Sequence, residues 1–324
     1  MKLTFVILYH KNPIQLFRLV NHLTGPSCSV VIHVCKNESE ENFNKIKTYF
    51  SNYDNVRFSK RSRGRWGGFS LVKASLDAMQ LAVDEFQFDY LYLISGQDYP
   101  VISSSEMMSF LKDHRGKEFI NYWPMNPAYL SEGYFNVVKQ RHIKDHSRQQ
   151  DRYNLYYFWW KGQKKAFPGH FNQHISSKKE WLIEFVKRGI HAVVPQRSFM
   201  SGLAPYAGSQ WFTLSFDCVN YCLQVANRRL DYVKYMQKVS VPDEMFFQSI
   251  ILNGDFQSKV INHNLRAIFF SDQEGPQPHP EILDESYLPK ILNSKAHFSR
   301  KFDMDFDEKI LNLLDEHNSK TQQL

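Results

Sequence analysis

Cysteine is scarce in this chain, with four residues among 324. Cys28 and Cys35 flank a predicted strand, and Cys218 and Cys222 lie four positions apart in a predicted helix. No C-x-x-C pattern occurs, which argues against a zinc site. So few thiols are typical of a protein from a reducing compartment, and we therefore expect a cytoplasmic location.

Long apolar runs are also missing. No segment approaches the ~18 consecutive apolar residues that a membrane-spanning helix needs. The first ten residues, M-K-L-T-F-V-I-L-Y-H, contain an apolar run too short for the core of a signal peptide. This run predicts a buried strand, so any membrane contact is expected to be peripheral and to involve a basic surface.

Several familiar nucleotide and hydrolase motifs are absent. The chain has no Gly-x-x-x-x-Gly-Lys, Gly-x-Gly-x-x-Gly, Gly-x-Ser-x-Gly or His-Glu-x-x-His. The usual signals of P-loop phosphoryl transfer, dinucleotide binding, serine hydrolysis and zinc proteolysis are therefore lacking. What the chain does have is a net charge of +7 and 26 Phe, 17 Tyr and 6 Trp. The charge indicates an anionic partner, and the aromatic rings suit either a core or stacking on bases and sugars.

Apolar periodicity predicts alternating strands and helices in the first third of the chain. Strands are predicted over residues 3–9, 29–34, 56–58 and 90–95, and helices over 13–23, 41–50 and 70–86. This alternation predicts a parallel sheet with helices on both faces. Later elements are predicted as strands over 208–215 and 265–270 and as helices over 181–188, 216–226 and 310–314. With no repeat or break in composition, we expect one domain, in which residues 1–118 form a nucleotide-binding half and residues 119–324 an acceptor and catalytic half.

Polar and basic residues follow several of these strands. They are His10, Cys35 and Asp98, together with Arg61, Trp66 and Gly67 in the basic loop K-R-S-R-G-R-W-G-G. Ligands of open α/β sheets bind beyond the carboxyl ends of the strands, so these residues predict a nucleotide pocket. A solvated charged turn is the alternative for the basic loop, although its paired glycines would allow a ligand to approach the backbone closely.

Residues 239–253 predict a helix with an acidic tip. Pro242 suits the first helical position, and Asp243 and Glu244 follow in the first turn, where the helix dipole favours carboxylates. Phe246 and Ile250 lie on an apolar face that would anchor the helix. The acids could simply start the helix, or Glu244 could be a general base held within reach of a substrate proton.

A basic pair, Arg300 and Lys301, lies between two phenylalanines near the end of the chain. A planar arginine fork and a lysine point charge together suit a diphosphate. Asp303 and Asp305 then imitate a metal-binding Asp-x-Asp motif, but their position near the last helix favours a helix start. We therefore expect no metal site and expect the basic pair to neutralise the diphosphate instead.

Residues 119–165 are polar and aromatic without a clear period. A long excursion of this kind is either a surface loop packed by its own aromatics or a wall on which a sugar acceptor stacks.

These segments together resemble a known family, the "branch" glycosyltransferases, which include core-2/I-branching β-1,6-N-acetylglucosaminyltransferases and peptide O-xylosyltransferases. The resemblance runs nearly end to end, through V-I-L-Y-H-K, V-I-H-V-C-K, R-W-G-G-F-S-L-V, L-I-S-G-Q-D-Y-P, G-S-Q-W-F-T-L-S, V-P-D-E-M-F-F-Q-S-I-I-L-N, N-L-R and F-S-R-K-F-D-M-D. It implies a GT-A-like, Rossmann-type mixed sheet, a UDP-sugar donor, inversion at the anomeric carbon and no metal.

The resemblance also assigns roles to residues that match its motifs. Glu244 would be the catalytic base, Arg300 and Lys301 would hold the UDP diphosphate, and Asp98 would lie in the donor pocket. The acceptor and donor-sugar site would be formed by Gly208, Ser209, Gln210, Trp211 and Asp243. Cys35 stands where relatives usually carry Asp near the uridine, and the further phosphate-directed arginine of branching enzymes has no clear match, with His279 and Arg266 as the alternatives.

The expected function is inverting, metal-independent transfer of GlcNAc or xylose from a UDP-sugar to a hydroxyl of a glycan or similar acceptor. The lack of an anchor and of many disulfides fits a bacterial, cytoplasmic version that serves polysaccharide biosynthesis. Two alternatives stay open: a transferase that uses another nucleotide sugar, as Cys35 allows, or a carbohydrate- or nucleic-acid-binding module without catalysis. A carboxylate at Glu244 beside a basic pair favours the enzyme, because a binder of anions has no need of it.

Overall fold

A computed structural model describes residues 1–65, 67–125, 199–239, 241–270 and 280–321. Over these ranges the chain forms one α/β domain in which helices cover both faces of a mixed sheet, as predicted. The predicted helix over 181–188, most of the aromatic region 119–165, Trp66 and His279 lie outside the described residues. The predicted division at residue 118 stays a prediction.

The first 125 residues supply most of the sheet. Their strands are β1 (Leu3–Tyr9), β2 (Cys28–Val34), β3 (Val56–Phe58), β4 (Tyr90–Ser95), β5 (Asp98–Pro100), β6 (Glu118–Ile120) and β7 (Trp123–Pro124). Their helices are α1 (Pro13–Leu23), α2 (Glu40–Tyr49), α3 (Ser70–Glu85) and α4 (Ser104–Asp113). The predicted boundaries agree with the observed ones within one residue for the elements up to β4, because each is a local apolar pattern.

Residues 199–321 complete the domain. Their strands are β8 (Tyr206–Ala207), β9 (Phe212–Ser215), β10 (Val260–Ile261), β11 (Arg266–Ile268) and β12 (Phe298–Arg300). Their helices are α5 (Phe216–Arg228), α6 (Leu230–Met236), α7 (Phe246–Leu252), α8 (Leu288–Asn293) and α9 (Lys309–Thr321). Short 3₁₀ turns lie at Pro242–Glu244, Gln257–Lys259 and Glu285–Tyr287.

The main sheet has seven strands in the order β10-β6-β9-β4-β1-β2-β3. Strands β3, β2, β1 and β4 are mutually parallel, whereas β9 is antiparallel to both β4 and β6. A three-stranded sheet, β11-β12-β5, lies beside it. The parallel half brings the ends of β1, β2 and β4 to one edge, where ligands of such sheets bind.

Strand alternation divides the core between the two faces of the main sheet. Val6 and Leu8 of β1 pack with buried residues of α3, α5 and α7, while Phe5 and Ile7 pack with those of α1, α4 and α9. Because side chains of a strand point alternately to opposite faces, a run that is apolar at every position must be covered on both sides.

The predicted helix over 239–253 is wrong in one respect, since it is not continuous. Pro242–Glu244 form a 3₁₀ turn, and α7 begins only at Phe246. Val241 takes a left-handed conformation, with φ of 50°, and its N–H donates to the Gly67 carbonyl at 2.9 Å. A tertiary contact therefore bends the chain just before the acidic residues.

The predicted strand over 208–215 is shorter than expected. Only Phe212–Ser215 pair in the sheet as β9. The Gly208 N–H donates instead to the Glu244 carbonyl at 2.8 Å. A Cβ on Gly208 would lie 1.8 Å from the Asn121 carbonyl oxygen, so this position tolerates only glycine.

Candidate active site

A pocket of about 850 Å³ opens at the edge where β1, β2 and β4 end. Its volume suits a nucleotide sugar, since ligand pockets commonly measure ~300–1,000 Å³. Among the residues that line it are His10, Lys11, His33, Cys35, Asn37, Gly64, Gln97, Asn121, Ser209, Gln210, Trp211, Asp243, Glu244, Asn264, Arg266, Arg300 and Lys301. Segments far apart in the chain thus meet around one cavity.

Glu244 enters the pocket from the 3₁₀ turn that precedes α7. The turn is held on both sides: Gly67 accepts the Val241 N–H, and Gly208 donates to the Glu244 carbonyl. Behind it, α7 is buried along its whole length. The backbone that carries Glu244 is therefore held in place by packing, and Asp243 beside it is buried and lines the same pocket.

Arg300 reaches the pocket from the end of β12. The antiparallel pairing of β12 with β5 sets Arg300 opposite Asp98, and Arg300 Nη1 lies 3.2 Å from Asp98 Oδ1. Burial lowers the pKa of Arg300, while Asp98 and Glu244 raise it. Burial raises the pKa of the Asp98 carboxyl, and the charges of Arg300 and Arg266 oppose that rise. Glu244 therefore lies close enough to Arg300 for their charges to interact.

The guanidinium of Arg300 also lies over the Trp211 ring, with its central carbon 4.3 Å from the ring centroid. Its Nε and Nη1 atoms are buried and make no hydrogen bond within the described residues. A buried cation with unused N–H donors is suited to an anionic ligand, because charge-assisted hydrogen bonds would satisfy those donors.

Two lysines, Lys11 and Lys301, extend this positive region toward the rim. Burial lowers the pKa of Lys301, and the charges of Arg300 and Lys11 lower it further. Lys11 Nζ lies 2.5 Å from Asp303 Oδ2, so Asp303 forms an ion pair. The predicted start of the last helix at Asp303 is wrong, because α9 begins at Lys309, whose N–H is accepted by Asp307 Oδ1 at 2.7 Å.

The part of the pocket that Cys35 and His33 line is uncharged. Cys35 Sγ accepts the Gly64 N–H at 3.2 Å and the Asn37 N–H at 3.5 Å. The His33 ring lies between Ser59 and Ser62, with hydrogen bonds at 3.1 and 3.2 Å. Burial lowers the pKa of His33, so the imidazole is neutral near pH 7. An uncharged end of this kind suits a nucleobase.

Four of the sequence-predicted site residues act from behind the pocket surface. Asp98 holds Arg300, while Gly67 and Gly208 hold the Glu244 turn. Arg61 Nη1 lies 2.6 Å from Glu40 Oε1, and Arg61 Nη2 donates to the carbonyls of Cys35 and Glu38. None of these four side chains or glycines is among the lining residues, whereas His10, Cys35, Ser209, Gln210, Trp211, Asp243, Glu244, Arg300 and Lys301 are.

Arg266 also lines the pocket and is buried. Its guanidinium donates to the carbonyls of Leu93 and Asn264, which ties β4 to β11. Burial lowers the pKa of Arg266 to about 10, although Asp98 and Tyr92 oppose this. Arg266 thus has most of its donors engaged with the protein, in contrast to Arg300.

Sequence reasoning missed several lining residues. Lys11 and Gln97 follow β1 and β4, so the rule that ligands bind beyond strand ends could have found them. Asn121 follows β6, a strand that the sequence did not reveal. Asn264 precedes β11 and carries no local signal.

The described residues offer neither a cluster of metal-binding side chains nor a membrane-spanning helix. No group of three or more His, Cys, Asp or Glu side chains in those ranges is arranged to hold a metal ion. No helix in the part of the chain that the structure describes is long and apolar enough to cross a membrane.

The chain is similar to known proteins over nearly its whole length. The model of the Core-2/I-Branching enzyme family matches residues 3–292. Xylosyltransferase 2 of Canis lupus familiaris is 22% identical over 98% of this chain and 33% of its own length. Beta-glucuronosyltransferase GlcAT14A of Arabidopsis thaliana is 23% identical over 89% of this chain and 58% of its own length. A solved structure, HddC of Yersinia pseudotuberculosis, aligns with a TM-score of 0.26 and 12% identity over 37% of this chain and 59% of its own, a likeness too weak to use.

The mixed sheet, with its pocket at the ends of the parallel strands, is that of a GT-A-like fold. The chain belongs to the Core-2/I-Branching enzyme family, whose model covers most of it. It spans about a third of the length of the mammalian xylosyltransferase 2 that it matches.

Proposed function

We propose that this protein transfers a neutral sugar, GlcNAc or xylose, from a UDP-sugar to a hydroxyl group of a glycan or similar acceptor, with inversion and without a metal. Nucleic acid has no part in the proposal. One observation carries it: Glu244 and the pair Arg300–Lys301 line the same pocket, with Glu244 near enough to influence the charge of Arg300.

In this proposal the diphosphate binds beside Arg300 and Lys301. The unused Nε and Nη1 donors of Arg300 support this placement, as does the lowered pKa of Lys301, because an anion would relieve the repulsion among these cations. The nucleoside would then extend toward Cys35 and His33, where the lining is uncharged. This orientation leaves the sugar between Glu244 and Trp211.

The reaction we propose is a single displacement. Glu244 removes the proton of the acceptor hydroxyl as its oxygen attacks the anomeric carbon from the side opposite UDP. Arg300 and Lys301 stabilise the negative charge that builds on the departing diphosphate, the task that a metal ion performs in other transferases. One displacement inverts the anomeric configuration.

The location remains part of the proposal. All four cysteines are free and buried, which supports a reducing compartment and hence the expected cytoplasmic location. The basic rim around Lys11 and Lys301 would be the surface for any peripheral membrane contact.

Replacing Glu244 by Gln tests the base directly. The amide keeps the shape of the side chain but cannot accept the proton, so turnover with UDP-GlcNAc or UDP-xylose should fall at least ~100-fold. UDP affinity, measured by titration calorimetry, should change little. Glu316→Gln, the same substitution on α9 at a position that does not line the pocket, serves as the control. Turnover of Glu244→Gln close to that of the unchanged protein would end the assignment.

The requirement for a metal is tested in the same assay. Turnover and UDP binding should survive EDTA, because the protein's own cations neutralise the diphosphate. A strict need for manganese would contradict the proposal.

A further inference from the structure

His10 is a pocket residue for which the displacement just described has no use. It directly follows β1, and its imidazole lines the pocket together with Lys11, Arg300 and Lys301. The ring makes no hydrogen bond within the described part of the chain, and it is open to solvent at the rim. A histidine near three cations is in an unusual position, because their charges would repel a proton on the ring.

The charges that face His10 come from three parts of the fold. Lys11 follows it in the chain, Arg300 and Lys301 lie at the end of β12, and Glu38 comes from the loop after β2. Partial burial lowers the pKa of His10 most, Lys11, Arg300 and Lys301 lower it further, and only Glu38 raises it. Without a bound anion the imidazole is therefore neutral near pH 7.

Glu38 is a single carboxylate facing three cations, and so it does not fully offset them. Its Oε2 accepts the Tyr9 hydroxyl at 3.1 Å, and its Oε1 accepts the side-chain amide of Asn42 at 2.9 Å. Lys11 is similarly paired with Asp303. The unbalanced positive charge is therefore that of Lys301 together with Arg300. Arg300 does have a partner in Asp98, but Asp98 also interacts with Arg266.

We propose that His10 takes up a proton when a nucleoside diphosphate binds, and that the resulting imidazolium is a third cation on the leaving group. This inference rests on the proposed function. A diphosphate brings at least two negative charges into the cluster, which reverses the sign of the field at His10 and favours the charged ring. The proton comes from solvent and stays on the ring.

The bond between the anomeric carbon and the diphosphate oxygen breaks, and its electron pair leaves with the diphosphate. The acceptor oxygen forms the new bond, and its proton passes to Glu244. The imidazolium of His10 donates an N–H to the diphosphate and stabilises the charge gained there, so it adds to the effect of Arg300 and Lys301.

The pH dependence has a definite sign. The bound state holds one more proton than the free state, so UDP affinity is greatest below the pKa of His10 in the empty pocket. Between this pKa and the higher pKa of His10 in the UDP complex, UDP affinity falls as pH rises, by up to ~10-fold per pH unit. Above the bound-state pKa the affinity no longer depends on His10.

Calorimetry with UDP tests this inference. Titrations at pH 7.5 in buffers of different ionisation enthalpy measure the number of protons taken up, and at this pH the terminal phosphate of UDP, with a pKa near ~6, is already ionised. The unchanged protein should take up roughly half a proton or more per UDP, while His10→Asn should take up almost none. His317→Gln, on α9 and away from the lining residues, should behave like the unchanged protein.

Turnover gives a second measurement. In the unchanged protein kcat should fall on the alkaline side as the bound imidazolium loses its proton, and His10→Asn should lack that fall and be roughly 10-fold slower at pH 7. UDP binding without proton uptake, or uptake that persists in His10→Asn, would overturn the role of His10 and leave the proposed function intact. Failure of the unchanged protein to bind UDP at all would instead overturn the proposed function.

Discussion

The basic loop at residues 60–65 and the basic pair Arg300–Lys301 carry the same kind of charge but use it in opposite ways. In the loop, the guanidinium of Arg61 is occupied by the Glu40 carboxylate and by two backbone carbonyls, and it also lies over the Phe43 ring. In the pair, Arg300 is buried to the same degree, but its Nε and Nη1 atoms both lack a hydrogen bond within the described residues, whereas in Arg61 only Nε does. The loop has the greater density of charge in the sequence, whereas Arg300 has the greater number of buried donors without a hydrogen bond.

This difference shows which quantity identifies an anion site. Charge alone does not, because a cation whose donors are engaged by the protein has little left for a ligand. Burial of a cation is unfavourable unless its charge and its donors are both satisfied. Asp98 satisfies only part of this requirement for Arg300, and a bound diphosphate would satisfy the rest.

Arg300→Met is the strongest test of the comparison. Removing a buried donor that stabilises a leaving group should cost ~3–4 kcal/mol of transition-state stabilisation, or at least ~100-fold in turnover. It would also leave Asp98 buried without its partner, which can cost ~3–5 kcal/mol of folding stability. Turnover and thermal melting should therefore be measured together.

The double variant Arg300→Met with Asp98→Asn separates these two effects. Its melting temperature should recover, because the buried carboxylate is replaced by a neutral amide, while its turnover should stay low. If turnover recovers along with the melting temperature, Arg300 is a structural residue and the contrast with Arg61 loses its meaning.

Trp211 sharpens the comparison at an intermediate level. The resemblance assigns it to the sugar site, but one face of its ring lies against Arg300. A cation–π contact of this kind contributes about 0.5–2 kcal/mol, so Trp211→Leu should weaken UDP binding by roughly 3–30-fold. Trp211→Phe, which retains an aromatic face, should lose less.

The two roles of Trp211 give different kinetics. If the ring mainly positions Arg300, the UDP dissociation constant rises and the acceptor KM changes little. If the ring mainly stacks on the acceptor, the acceptor KM rises and UDP binding is unchanged, and in that case Arg300 does not depend on Trp211 for its place.

How far the sequence could predict this site depends on how local each signal is. Strand β1 and helix α1 are predicted with their observed bounds, because their apolar period is contained in the segment itself. The bend at Val241 depends on a hydrogen bond to Gly67, and the loop at Gly208 depends on a hydrogen bond to Glu244. Contacts between residues so distant in the chain leave no periodic pattern, so the sequence predicts a continuous helix and a longer strand there.

The same limit applies to the charges. Arg61 and Arg300 both lie in basic segments, and their local sequences give no indication of which guanidinium will be occupied by the protein. Asp98 lies opposite Arg300 only because β5 and β12, which are far apart in the sequence, pair in the small sheet. For Glu244 and Arg300 the motifs of the family supplied what the local pattern could not.

Arg61→Gln completes the comparison and should have the smallest effect. The variant loses an ion pair whose carboxylate, on Glu40, is 72% exposed, and such pairs contribute at most ~1 kcal/mol to stability. Its hydrogen bonds to the Cys35 and Glu38 carbonyls are partly replaced by the amide, so the loop should keep its position. Turnover and UDP affinity are therefore expected to stay within about 3-fold of the unchanged protein, because an ordinary surface substitution changes free energies by only ~0.5 kcal/mol. Arg61→Gln could instead lose as much UDP affinity as Arg300→Met without a matching loss of thermal stability. That result would mean that Arg61 leaves Glu40 to bind the donor. The contrast between the two basic segments would then not hold once the donor binds.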